Sequence, residues 1–140
     1  MIKVFIDTNV FIDYLARREE FFEQAALIFQ LGQRGKCELL VSSLTFATAS
    51  FILHARYKIT QEAIVRKYAQ IVNICHITPV DFQTIEESIS SKFTDFEDAM
   101  QYYSALRGNA NVIITRNKGD FSVSEVPVYE PREFLDELSR

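Results

Sequence analysis

Residues 2–9 read Ile-Lys-Val-Phe-Ile-Asp-Thr-Asn. A short apolar run that stops on an acid is the pattern of a buried strand leaving a sheet. Asp7 and Thr8 then offer N-cap oxygens to a helix carrying Val10, Phe11, Tyr14 and Leu15. An ionised carboxylate at the end of a buried strand is costly without a compensating charge. Asp7 therefore either caps the helix or holds a cation, and the cost of burial favours the cation. Asp13, six residues on and in mid-helix, is expected to face solvent.

From this strand the chain alternates. Residues 20–33 place Phe21, Phe22, Ala25, Ile28 and Phe29 at helical spacing, with Gly32 and Gly35 as terminators. Cys37–Val41 suits a second strand. Ser42 or Ser43 can cap a third helix reaching Tyr57, with Leu44, Ala47, Phe51 and Ile52 inward. Thr60-x-x-Ala63 opens a fourth helix running to Asn73, followed by a strand at Ile74–Ile77 that Pro79 closes. Residues 81–90 read as helix. Thr94-x-x-Glu97 spells a capping box ahead of a helix carrying Ala99, Met100, Tyr103 and Leu106, which Gly108 ends. Asn111–Ile114 reads as a buried strand and Val126–Tyr129 as a short last one. Pro131 starts a closing helix with Phe134, Leu135 and Leu138. Strands separated by helices imply an α/β fold with a mainly parallel sheet covered on both faces. With no linker, repeat or low-complexity tract, residues 1–140 form one expected domain.

Composition narrows the function. The chain is 48% hydrophobic and carries a formal net charge of −4. A core of useful size is available, and a broad basic face for nucleic acid is not. Cys37 and Cys75 lie beside expected strands, where a small buried apolar residue is the default, and no zinc-ligand spacing is present. No run approaches a membrane span, and Met1-Ile2-Lys3 leads into the first strand without a signal-peptide pattern, so a cytoplasmic location is expected.

Three polar clusters fall where α/β folds gather function, beyond the carboxyl ends of strands. They are Asp7-Thr8-Asn9, Thr115-Arg116-Asn117 with Asp120, and Asp95-Phe96-Glu97-Asp98. Converging carboxylates repel one another, and a divalent cation is the ordinary compensation. Mg²⁺ and Mn²⁺ prefer oxygen donors and can promote phosphodiester hydrolysis without histidine. His54 and His76 lie outside all three clusters. Each candidate has a plainer alternative: Glu97 completes the capping box, Asp98 favours the helix dipole, Asp120 is a turn residue, and Thr8 and Thr115 satisfy backbone groups. Arg116 suits a phosphate, with Lys118, Arg17, Arg18 and Arg107 as further local bases.

Phe5-Ile6-Asp7-Thr8-Asn9-Val10, Asp95-x-Glu97-Asp98-Ala99 with Gln101-Tyr102-Tyr103-x-Ala105, and Ile114-Thr115-Arg116-Asn117-x-x-Asp120-Phe121 together resemble a PIN domain over nearly the whole chain. The resemblance implies a three-layer α/β/α fold with an acidic pocket for Mg²⁺ or Mn²⁺. It implies ribonuclease activity, in the manner of the VapC-like toxins of toxin–antitoxin pairs, which often dimerise and are blocked by an antitoxin. It places Asp7, Asp98 and Asp120 at the family's acidic positions. Glu97 is a further metal-ligand candidate, and Thr8, Asn9, Asp95, Thr115 and Asn117 support the site. One position departs: the family's usual acid near the start of the third helix is replaced by Thr48 after Ser42-Ser43-Leu44-Thr45. A weakened or inactive module that binds RNA or protein is therefore the alternative function. A phosphatase of the haloacid dehalogenase type fits less well, because Asn9 stands where its second Asp belongs.

Overall fold

The computed structural model describes residues 1–139. Strand β1 (Lys3–Ile6) is central, flanked by β2 (Glu38–Ser42), β3 (Cys75–Thr78), β4 (Val112–Ile114) and β5 (Val128–Tyr129) in the order β3-β2-β1-β4-β5. Every pairing is parallel. The helices are α1 (Thr8–Leu15), α2 (Phe22–Gln33), α3 (Ser43–Ala55), α4 (Gln61–Ile71), α5 (Phe82–Ile89), α6 (Phe96–Arg107) and α7 (Pro131–Leu138). A 3-10 turn covers Lys118–Phe121.

The period-2 geometry of β1 separates two cores. Val4 and Ile6 point into the larger one, with Phe11, Phe29, Leu53, Ile64 and Phe134 from α1, α2, α3, α4 and α7. Phe5 points the other way, against Leu40, Ile113, Tyr102, Ala105 and Phe121. Helix α6 covers this second face, and α5 packs on α6, where Glu87 pairs with Arg107. The result is the expected three-layer α/β/α arrangement. The chain builds outward from β1 to β2 and β3, then crosses back to β4 and β5. The carboxyl ends of β1 and β4 thus flank the change in strand order, where connections diverge and leave a crevice. The Asp7 amide donates to Ile114 O at 3.0 Å and extends the ladder to the edge of that crevice.

Local details depart from the sequence reading. Gly32 does not end α2 but lies inside it, because Leu39 of β2 packs against its bare Cα. A Cβ there would sit 2.4 Å from Leu39 Cδ1. Gly35, at φ +72°, is the terminator. Helix α3 buries Thr45, Ala49 and Leu53, while Ala47 is exposed and Phe51 is 74% exposed. A polar residue on the inward face shifted the apparent apolar phase, since Thr45 is buried by hydrogen bonds rather than by hydrophobicity. Strand β3 begins one residue later than expected, and β5 is reduced to two residues. Among the described residues, no helix is long and apolar enough to cross a membrane. Cys37 and Cys75 are free thiols.

Candidate active site

Asp7 is 6% exposed and sits at the junction of β1 and α1. Its Oδ1 accepts from the Thr8 amide at 2.9 Å, and its Oδ2 accepts from Thr115 Oγ1 at 2.8 Å. Asn9 Nδ2 reaches Oδ2 at 3.4 Å and Thr115 Oγ1 at 3.2 Å, while Asn9 Oδ1 accepts from the Arg116 amide at 3.3 Å. Asn9 and Thr115 therefore tie the loop after β1 to the loop after β4. Thr115 Oγ1 also accepts from the Asn117 amide at 3.1 Å. Asp7 does cap its helix, and it also lines the crevice, so its two readings are not exclusive.

The crevice is a pocket of about 210 Å³ whose walls include Asp7, Thr8, Asn9, Ile12, Arg18, Thr48, Ile52, Glu97, Asp98, Asn117 and Asp120. All four expected metal-ligand candidates reach it. Asp95 does not. It is the N-cap of α6, and its carboxylate accepts from the Asp98 amide at 2.9 Å. The N-cap expected at Thr94, with Glu97 closing a box, is thus at Asp95 instead. A carboxylate at Asp95 serves the helix N-terminus better than a neutral hydroxyl at Thr94, and Glu97 is left free to line the pocket.

The acids pay electrostatically for their crowding. Burial holds the Asp7 carboxyl above the usual range, against the lowering effect of hydrogen bonds from Thr115, Thr8 and Gln101, and Asp120 raises it further. Asp98 is pushed up to about 7, first by burial and then by Asp95, Asp7, Asp120 and Glu97. Glu97 is raised for the same two reasons, burial and then Asp95 and Asp7. Groups arranged this way favour a cation among them.

Two residues at the site were not assigned their places from sequence. Gln101 is 1% exposed, and its Nε2 lies 3.3 Å from Asp7 Oδ1, 2.8 Å from Thr8 Oγ1 and 2.8 Å from Thr45 Oγ1. Its Oε1 accepts from Ser42 Oγ, and the Thr8 and Thr45 hydroxyls are 2.9 Å apart. This polar floor lies under Asp7. The available signal was spacing, because position 101 is three residues after Asp98 and shares its helix face. Asp13 is the second. Expected at the surface, it is fully buried and receives Arg116 Nε at 2.7 Å, Arg116 Nη2 at 3.2 Å and Arg18 Nη1 at 3.2 Å. Arg116 is thereby turned away from the pocket. Both its hydrogen-bonding nitrogens engage Asp13, and its guanidinium stacks 3.9 Å from the Phe21 ring centroid.

Residues 3–119 match the PIN domain family. The chain belongs to that family. This PIN domain is 27% identical over 139 residues to Ribonuclease VapC1 of Aquifex aeolicus, covering 96% of this chain and 94% of the relative. Solved structures share the fold. A toxin–antitoxin complex from Klebsiella pneumoniae superposes with a TM-score of 0.64 at 22% identity, covering 91% of this chain and 97% of the other. VapBC2 from Rickettsia felis, bound to a DNA fragment from its promoter, superposes with a TM-score of 0.62 at 14% identity, covering 92% of this chain and 98% of the other.

The donor set of this PIN domain pocket fits a hard cation, being carboxylate, amide and hydroxyl oxygen. Among the described residues no three carboxylate, imidazole or thiol groups close into a cage. Thr48, where the resemblance places an acid, lies on the pocket wall and brings no charge to the set.

Proposed function

We propose that this chain is a metal-dependent endoribonuclease that acts in the cytoplasm as the toxin of a toxin–antitoxin pair. The observation that carries the reading is the convergence of Asp7, Glu97, Asp98 and Asp120 on one pocket at the point where the strand order changes. Similarity to a protein named as a VapC ribonuclease, over nearly the full length of both chains, supports it.

Asp7, Asp98 and Asp120 would hold Mg²⁺ or Mn²⁺, with Glu97 at the pocket wall as a fourth acid. The cation supplies Lewis acidity for hydrolysis of an RNA phosphodiester. The chain's own contribution is to keep the acids oriented. The Thr8 amide and Thr115 Oγ1 hold the two oxygens of Asp7, so the carboxylate does not turn when its charge is neutralised. Gln101, Thr8, Thr45 and Ser42 form a buried support beneath it. The Asp95 cap fixes the first turn of α6 and with it the direction of Asp98.

The decisive experiment is cleavage of single-stranded RNA with Mn²⁺. Cleavage is expected for the wild type and loss for Asp7→Asn and Asp98→Asn. Equal behaviour of wild type and both variants overturns the reading. Thr48 favours a second reading, in which the domain binds metal and RNA without cutting; metal-dependent RNA binding with no cleavage selects it. The solved relatives that are toxin–antitoxin complexes support a separate antitoxin as partner. Association with a second copy of the chain belongs to the same reading.

A further inference from the structure

Among the described residues, Arg18 is the one basic residue on the wall of the acid pocket. It is also among the best anchored of the partly exposed arginines. Its amide donates to Asp13 O at 3.1 Å, and its carbonyl accepts from the amides of Phe21 and Phe22 at 3.0 and 2.7 Å. Its guanidinium lies 5.4 Å from the Tyr57 ring centroid and engages Asp13 through Nη1. The side chain remains 19% exposed. Yet Nε is shielded from solvent and has no hydrogen-bond partner among the described residues. Contact from outside can therefore come only through the Nη edge of the guanidinium.

Asp13 distributes its two oxygens unequally. Arg116 takes both, in a fork, and lies off the pocket wall. Arg18 touches only Oδ1 and keeps donors in reserve. The same carboxylate thus withdraws one arginine from the site and leaves the other at its rim. The acid lining of the pocket repels a polyanion, and the chain as a whole carries a net charge of −4. An approaching RNA strand needs one fixed positive fork beside the acids, and guanidinium geometry matches two phosphate oxygens.

We propose that Arg18 takes hold of an RNA backbone phosphate at the rim of the acid pocket, aimed by Asp13 and Tyr57. The inference rests on the ribonuclease reading and names the residue that seats its substrate. Arg17 supplies an internal control. It is the adjacent residue with the same charge, but it stacks on Phe22 at 4.8 Å and lines a different groove, between α1, α2 and α4.

The test measures affinity for a labelled single-stranded RNA by fluorescence anisotropy across a salt series with Ca²⁺, and KM and kcat with Mn²⁺. Arg18→Gln is expected to weaken binding about tenfold and to raise KM more than it lowers kcat. It should also reduce the slope of log affinity against log salt by about 0.7, the amount for one phosphate contact on a single strand. Arg17→Gln is expected to change neither. Should Arg18→Gln melt below the assay temperature, Arg18→Lys keeps the charge and loses the fork. It should then bind several-fold more weakly with the slope retained. Cleavage that proceeds normally with an Arg18 variant indistinguishable from Arg17→Gln overturns the Arg18 assignment alone. RNA binding that depends on Arg18 with no cleavage at all overturns the ribonuclease reading alone. Absence of RNA binding in the wild type overturns both.

Discussion

Asp13→Asn probes the least expected feature of the structure with almost no change in volume. The wild-type carboxylate is buried, with 1% of its side chain exposed, and it neutralises two guanidiniums that are 19% and 24% exposed. An asparagine keeps one acceptor, removes the charge, and turns an amide donor toward an arginine donor. Removing one partner of a buried ion pair costs about 3–5 kcal/mol. The arginines retain some contact with water, so the lower end, about 3 kcal/mol, is the expected loss. A 140-residue chain unfolds with an entropy of about 0.3 kcal/mol/K near its midpoint, which converts that loss into a Tm lowered by about 10 °C. Differential scanning calorimetry at pH 7 measures it. Arg116→Gln should cost less, because Arg18 still compensates Asp13, and the double variant should fall well short of the sum. A shift for Asp13→Asn below about 3 °C would refute the claim that this carboxylate ties α1 to the loop after β4.

Further outcomes follow from the site and the core. Asp98, raised from 3.8 to about 7 by burial and neighbouring acids, stays protonated longer in the folded chain than in the unfolded one. Metal-free stability should therefore fall as pH rises from about 4 to about 7 and level off above. Solvent screening at this half-buried group limits the drop to about 1–2 kcal/mol. Melting curves with EDTA between pH 5 and 8 should show the fall and curves with Mn²⁺ should flatten it; a metal-free Tm that climbs over this range contradicts the assignment. Thr48→Glu restores an acid to the pocket wall. It should tighten Mn²⁺ binding on the order of tenfold by calorimetry while lowering the metal-free Tm, and unchanged affinity would place position 48 outside the ligand set. Gly32→Ala drives a methyl into Leu39 and should cost about 1–3 kcal/mol in thermal unfolding, whereas a neutral result would mean that Leu39 moves aside freely.

Gly32 and Asp13 also mark the boundary between what is local and what is not. The alternation of strands and helices, the central place of the first strand, and the clusters at strand ends all follow from short-range patterns of apolarity, capping and chain breaking. These act within a few residues, so residues 2–9 alone announce a buried strand, a cap and an acid at a sheet edge. The convergence of Asp7, Asp98 and Asp120 was legible for the same reason, since parallel α/β topology carries the ends of β1 and β4 to one edge. Tertiary packing decided the rest. Gly32 reads as a helix stop until Leu39 arrives from β2 to need the space. Thr45 blurs the apolar phase of α3 because its burial is earned by hydroxyl contacts with Thr8, Ser42 and Gln101. Asp13 reads as a surface acid until Arg116, over a hundred residues away, folds back onto it. In the sequence Arg116 has the first claim on a phosphate and Arg18 is one further base, and only the fold puts Arg18 on the pocket wall and Arg116 off it. Charge compensation between distant residues has no period and no spacing along a chain, so it becomes visible only when the fold brings the partners together.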